Sequence, residues 1–82
     1  MNPEQVAELI RMALPDAEVD VKSDDNTHYA ARIVSASFAN QRSVARHQLV
    51  YRALGSRVGR EIHALSIEAF TPEELASRHG AR

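Results

Sequence analysis

Four histidines, at positions 28, 47, 63 and 79, are the residues of this chain with reactive or metal-ligating potential. There is no cysteine among the 82 residues, and no HExxH, nucleophile-elbow or phosphate-loop spacing occurs. His63 stands out by its setting. In residues 62–72, Ile-His-Ala-Leu-Ser-Ile-Glu-Ala-Phe-Thr-Pro, the odd positions His63, Leu65, Ile67 and Ala69 share one face of an extended segment, and Ala64, Ser66 and Glu68 share the other. That pattern predicts a half-buried strand with His63 at the upstream end of the core-facing row, one side of the ring packed and the other open at the rim. A neutral imidazole held this way suits metal ligation. One histidine cannot complete a site, however. An iron-sulfur cluster takes about four ligands, mainly thiolates, with histidine replacing cysteine in some centres, so a partner would have to bring the sulfur. For His28, His47 and His79 a solvated or internally bonded side chain is the plainer reading.

The elements that position these residues can be followed along the chain. Asn2-Pro3-Glu4-Gln5 carries a cap, a first-turn proline and a capping-box glutamine, and Val6, Leu9, Ile10, Ala13 and Leu14 continue at helical spacing, so a helix is expected to about Leu14. Strict alternation over residues 18–22 predicts a strand with Val19 and Val21 inward, and residues 23–27 form a turn. A hairpin partner follows over residues 28–35, with Tyr29, Ala31 and Ile33 on one face; the pattern leaves open which face is inward. Phe38 plugs the core from an otherwise polar connection. Ser43 is expected to cap a second helix, whose stripe is Leu49, Val50, Ala53, Leu54 and Val58 and which breaks near Gly55. After the third strand, Thr71-Pro72-Glu73-Glu74 starts a short helix to about Arg78, and residues 79–82 read as a frayed tail. The expected fold is a single α+β domain over residues 1–82. Its order is α-β-β-α-(α)-β-α, with a three-stranded mixed sheet covered by helices on one face.

Size and charge narrow the function classes. A domain this small buries only roughly 60–65% of its unfolded surface, which leaves little room for a deep substrate pocket and disfavours an enzyme. No apolar run approaches the roughly 18 residues of a membrane span, and the first 14 residues, with Glu4, Glu8 and Arg11, do not read as a secretory signal; a cytoplasmic protein is expected. The net charge is −1, yet residues 42–60 hold five arginines and no acid. Phosphate contacts through Arg42, Arg46, Arg52 and Arg57 would make nucleic-acid binding the competing class, and an ordinary solvated helix face is the simpler account. The helix and strand order is similar to KH domains, but Gly55, Gly59 and Gly80 do not make their GxxG loop, and Tyr29 alone does not make an aromatic base-stacking platform.

Four ordered motifs carry a more specific resemblance. Thr27-His28-Tyr29, Phe38 followed by Arg46-His47-Gln48-Leu49-Val50-Tyr51, Ile62-His63-Ala64-Leu65-Ser66-Ile67 and Thr71-Pro72-Glu73-Glu74 together resemble the BolA family over nearly the whole chain. The likeness is greatest to its short bacterial members called IbaG or YrbA. The resemblance implies a class II KH-like fold without GxxG. It implies a non-enzymatic adaptor that partners a monothiol glutaredoxin of the Cys-Gly-Phe-Ser type and co-ligates a glutathione-bound 2Fe-2S cluster, in iron-sulfur trafficking or iron homeostasis. It also implies that the isolated chain binds no cofactor and is a monomer or weak homodimer. A DNA-binding transcriptional regulator is the alternative that it offers. His63 matches the family's C-terminal histidine ligand. The second family ligand is a His or Cys in the loop between the first two strands, where this chain has Asp24, Asp25 and Asn26. Asp25 falls nearest the position of the cysteine, His28 at the loop's exit is the other candidate, and ligation by His63 alone is the third possibility. Arg46 and His47 match an Arg-His pair on the long helix, expected either to contact a partner or simply to pack and solvate that helix.

Overall fold

The computed structural model describes residues 1–80. The first helix, α1 (Pro3–Ala13), opens on a complete capping box: the Gln5 amide donates to Asn2 Oδ1 at 2.9 Å and the Asn2 amide to Gln5 Oε1 at 2.8 Å. Its buried face is Val6, Ala7 and Ile10, continued by Leu14 at the cap. Ala13, expected on that stripe, is exposed, because the buried arc turns toward Ala7 and Leu14.

Strands β1 (Glu18–Lys22) and β2 (His28–Val34) form an antiparallel hairpin in which Glu18 pairs with Val34 and Lys22 with Ala30. The third strand, β3 (Ala64–Phe70), lies parallel to β2, with His28 opposite Ala64 and Val34 opposite Phe70, giving the order β1-β2-β3. Parallel neighbours need a crossover, and α2 (Ser43–Leu54) supplies it. The inward face of β2 is Tyr29, Ala31 and Ile33, all buried. With the half-buried Val19, Val21, Leu65, Ile67 and Ala69 they pack against Val6 and Ile10 of α1, Val50 and Leu54 of α2, and Phe38. The other face carries His28, Ala30, Arg32, Ala64, Ser66 and Glu68, all exposed. This is the α+β architecture with a three-stranded mixed sheet that the residue pattern predicted.

Charged side chains fix the connections. Asp16 accepts from the Ser35 hydroxyl at 2.9 Å, the Ala36 amide at 3.0 Å and the Ser37 hydroxyl at 3.3 Å. These bonds, the Ser35 hydroxyl first, hold its carboxyl below the usual range and pin the 3-10 turn Ala36–Phe38 that drives Phe38 into the core. The second helix begins one residue earlier than expected. Arg42, extended and without a side-chain cap bond, occupies the cap position, and Ser43 is the first helical residue. Gly55, at φ +60°, ends the helix in a conformation that side-chain-bearing residues seldom adopt. The last helix, α3 (Pro72–Gly80), starts from a second capping box in which Thr71 N donates to Glu74 Oε1 at 3.0 Å and Glu74 N to Thr71 Oγ1 at 3.1 Å. His79 and Gly80, expected in a frayed tail, fall within the helical span, while residues 81 and 82 lie outside the described residues.

Arg46 ties these parts together. From α2 its guanidinium donates to Glu74 Oε1 and Oε2 at 2.6 and 2.8 Å, to the Ala69 carbonyl at 3.0 Å and, through Nε, to the Gln41 carbonyl at 2.8 Å. It also lies 5.7 Å from the centre of the Phe38 ring, and its side chain is only 11% exposed. Charge-assisted bonds from a largely covered guanidinium are among the stronger polar contributions. Arg46→Ala is expected to lower Tm by on the order of 10 °C, whereas Arg52→Ala, on the exposed side of α2, leaves it nearly unchanged; thermal unfolding followed by circular dichroism checks both.

The Arg46 contact, followed by the Thr71 amide, holds the Glu74 carboxyl at about 2, against an ordinary value of 4.5. Protonation therefore favours the unfolded chain. The stabilisation is complete above the ordinary value and disappears as pH falls from 4.5 through about 2. Asp16 and Asp25, both lowered, act in the same direction. Urea unfolding across that window should show stability falling with acidification, and Glu74→Gln should flatten the slope.

Candidate functional site

The turn between β1 and β2 is built around Asp25. Its Oδ1 accepts from the His28 amide at 2.9 Å, the Thr27 amide at 3.0 Å and the Ser23 hydroxyl at 3.3 Å, while its Oδ2 lies 2.7 Å from His28 Nδ1. The His28 amide above all, then the Thr27 amide and the His28 ring, press the Asp25 carboxyl well below the usual range. An ionised carboxylate can only accept. His28 Nδ1 therefore carries a proton, so in the neutral ring the lone pair lies on Nε2, and the side chain is 68% exposed. Thr27 Oγ1, at 3.1 Å, also lies beside Nδ1. Asn26 takes a positive φ of 57°, and its carbonyl lies 2.6 Å from the buried Tyr29 hydroxyl, which also meets the Met1 carbonyl. The turn is thus tethered to the core at its base.

His63 does not continue the inward row. It precedes β3 and is exposed, because the ladder ends where Ala64 meets His28 and strict alternation is lost there, the successive amides of His63 and Ala64 both turning to one carbonyl. Its amide donates to the Thr27 carbonyl at 2.8 Å, and the Ala64 amide shares that acceptor at 3.2 Å. No side-chain hydrogen bond from His63 occurs among the described residues. His28 and His63 therefore stand at one margin of the sheet, the first with Nδ1 committed to Asp25 and the second with its ring open to solvent. Beside them, Lys22, Ser23, Asp24, Ala30, Ala64 and Ser66 line an open depression of about 630 Å³ with His28.

The donor set sorts the ligand candidates. No group of three or more histidine, aspartate or glutamate side chains could enclose a metal among the described residues. Two imidazole nitrogens at an exposed margin fit a shared site in which thiolates come from elsewhere, the histidine-plus-cysteine ligation that some 2Fe-2S centres use. Asp25, weighed as a loop ligand, has both oxygens engaged and serves as the orienting group behind His28, the role that carboxylates commonly play for ligating histidines. Of the basic residues, Arg42 and Arg52 are exposed and Arg57 and His47 partly so, while Arg46 is spent on Glu74 and the Ala69 carbonyl. Residue types alone did not reveal the Asp25–His28 pair, although an aspartate three residues ahead of a histidine at a turn exit is the signal that could have found it.

Comparison with known proteins identifies the family. Residues 8–74 match the family model described as BolA-like protein. The chain is 44% identical, over an 84-residue alignment covering 99% of it and 100% of the relative, to an uncharacterized protein in the rpoN-murA intergenic region of Acinetobacter guillouiae. It is 48% identical over 53 residues, 65% of this chain and 52% of the relative, to the DNA-binding transcriptional regulator BolA of Haemophilus influenzae. A solved BolA protein homologue from Coxiella burnetii superposes with a TM-score of 0.82 at 32% identity, covering 93% of this chain and 97% of that one. With one continuous family match, a full-length relative and a shared three-stranded fold, this chain belongs to the BolA family.

Proposed function

We propose that the protein is a non-enzymatic adaptor of the cytoplasm that offers His63 and His28 to a 2Fe-2S cluster carried by a monothiol glutaredoxin, in iron-sulfur trafficking or iron homeostasis. The observation that carries this reading is the pair of exposed imidazoles at one sheet margin, one of them oriented by Asp25. The cluster would supply iron for the imidazoles to ligate, and glutathione and the glutaredoxin would supply its sulfur ligands. The contribution of this chain is to hold two nitrogens on a rigid frame. The amides of His28 and His63 both bond into the β1–β2 turn, which fixes the spacing of the two backbones.

A second reading is DNA-binding transcriptional regulation, favoured by the name of the Haemophilus influenzae relative and by the exposed Arg42 and Arg52 on and beside α2. Arg46 is a poor phosphate contact, because releasing it from Glu74 would cost α3 its anchor.

Mixing the protein with a cluster-loaded monothiol glutaredoxin should change the visible circular dichroism. His63→Ala should abolish that change and His28→Ala should diminish it, each with an unaltered far-ultraviolet spectrum; a wild-type mixture spectroscopically equal to the sum of its parts would sink the adaptor reading for that partner. Asp25→Asn, whose side-chain oxygen can still accept from the Thr27 and His28 amides, should keep the turn while shifting the His28 ring away from the Nδ1-protonated tautomer, as read by ¹⁵N NMR of the imidazole. The regulator reading expects sequence-selective DNA binding that survives His63→Ala and weakens when Arg42 and Arg52 are replaced by Glu. Equal affinity for unrelated duplexes, lost as salt rises, would leave only nonspecific attraction.

A further inference from the structure

Strand β3 is an edge, and its backbone polarity is fixed at both ends. The Ala64 amide donates to Thr27 at 3.2 Å, and the Phe70 carbonyl accepts from the Ser35 amide at 2.9 Å. Successive strand residues direct their N–H and C=O groups to opposite sides. Ala64, Ser66, Glu68 and Phe70 therefore bond toward β2, and Leu65, Ile67 and Ala69 face the free edge. At Ala69 the edge is closed, since Arg46 donates to its carbonyl at 3.0 Å. Upstream, no turn, helix or side chain bonds to the backbone of Leu65 or Ile67 among the described residues. The devices that blunt natural edges, such as proline, a bulge or an inward-pointing charge, are absent from Leu65-Ser66-Ile67.

We propose that this open segment pairs antiparallel with the same segment of a second copy, joining two three-stranded sheets into one. The register follows from what is free. With Ser66 on the two-fold axis, Leu65 lies opposite Ile67 of the second copy, and each such pair exchanges two backbone hydrogen bonds. No bond held by Arg46 is disturbed. Moving the axis to Ile67 would require the Ala69 carbonyl and displace Arg46, and moving it to Leu65 would draw in His63, which lies outside the strand. The side chains agree with this choice. Half-buried Leu65 and Ile67 cover one another across the new ladder, and Glu68, already paired with Arg32 at 3.0 Å, faces Ala64 of the second copy, so that no like charges oppose each other. A second copy is favoured over an unrelated strand because a segment of small and aliphatic residues, with its one charge already neutralised, is complementary to itself. This proposal does not depend on the cluster reading.

The absence of native cysteine makes the register directly testable. Ser66 occupies a non-hydrogen-bonded pair, in which opposed Cα atoms lie about 4.5 Å apart, within the span that a disulfide bridges. Under mild oxidation Ser66→Cys should give a covalent dimer, Glu68→Cys alone should not, and a mixture of Ala64→Cys with Glu68→Cys should cross-link. Sedimentation of the unmodified protein should show a reversible monomer–dimer equilibrium. Ser66→Lys, at an exposed position that leaves the fold intact by circular dichroism, should weaken it several-fold, with partial recovery in salt. A protein that stays monomeric at millimolar concentration, cross-linking at position 68 as ready as at 66, or association indifferent to Ser66→Lys would each overturn the proposal.

Discussion

Because β2 and β3 run in the same direction, the residues where they begin arrive at the same margin of the sheet, although a helix and two turns separate them in sequence. Had the crossover returned β3 antiparallel, His63 would lie beside Val34 and the two imidazoles would stand a strand's length apart. The parallel register is set by the crossover through α2, whose Val50 and Leu54 bury against the inward face of the sheet, and it is locked at one end by Thr27 and at the other by Ser35. Site geometry is here a consequence of chain direction.

Three carboxylates govern the irregular parts of the fold, and each accepts from backbone amides at a place where regular pairing ends. Asp16 holds the turn after β2, Asp25 the turn before it, and Glu74 the start of α3. Two of them also secure a second side chain, Glu74 taking Arg46 and Asp25 taking the His28 ring. In a domain with so small a core, short polar anchors of this kind supply definition that apolar packing alone would leave loose.

Much of the fold was legible in local patterns. The alternation of residues 18–22, the caps at Asn2 and Thr71, the break at Gly55 and the inward plunge of Phe38 were all visible because each rests on neighbouring residues and backbone preference. What escaped the sequence was nonlocal. The period-two row in residues 63–69 carried His63 inward, whereas the alternation breaks beyond the last ladder pair and leaves it exposed. Arg46 read as one of five basic residues on an open face, because nothing local shows that Glu74 and the Ala69 carbonyl will meet it there. The helical stripe of α1 was misplaced by one position, at Ala13, since periodicity fixes an arc and the neighbouring sheet decides its centre.

The Thr27 carbonyl, which accepts from the amides of both His63 and Ala64, welds the β1–β2 turn to the head of β3. The backbones that carry the two aromatic nitrogen bases consequently belong to one stiff body. On the proposed cluster reading, a metal centre that engaged the first would meet less of the translational and rotational cost in engaging the second. The shared acceptor, a single oxygen with no chemistry of its own, thereby sets the spacing at which the chain carries its two exposed imidazoles.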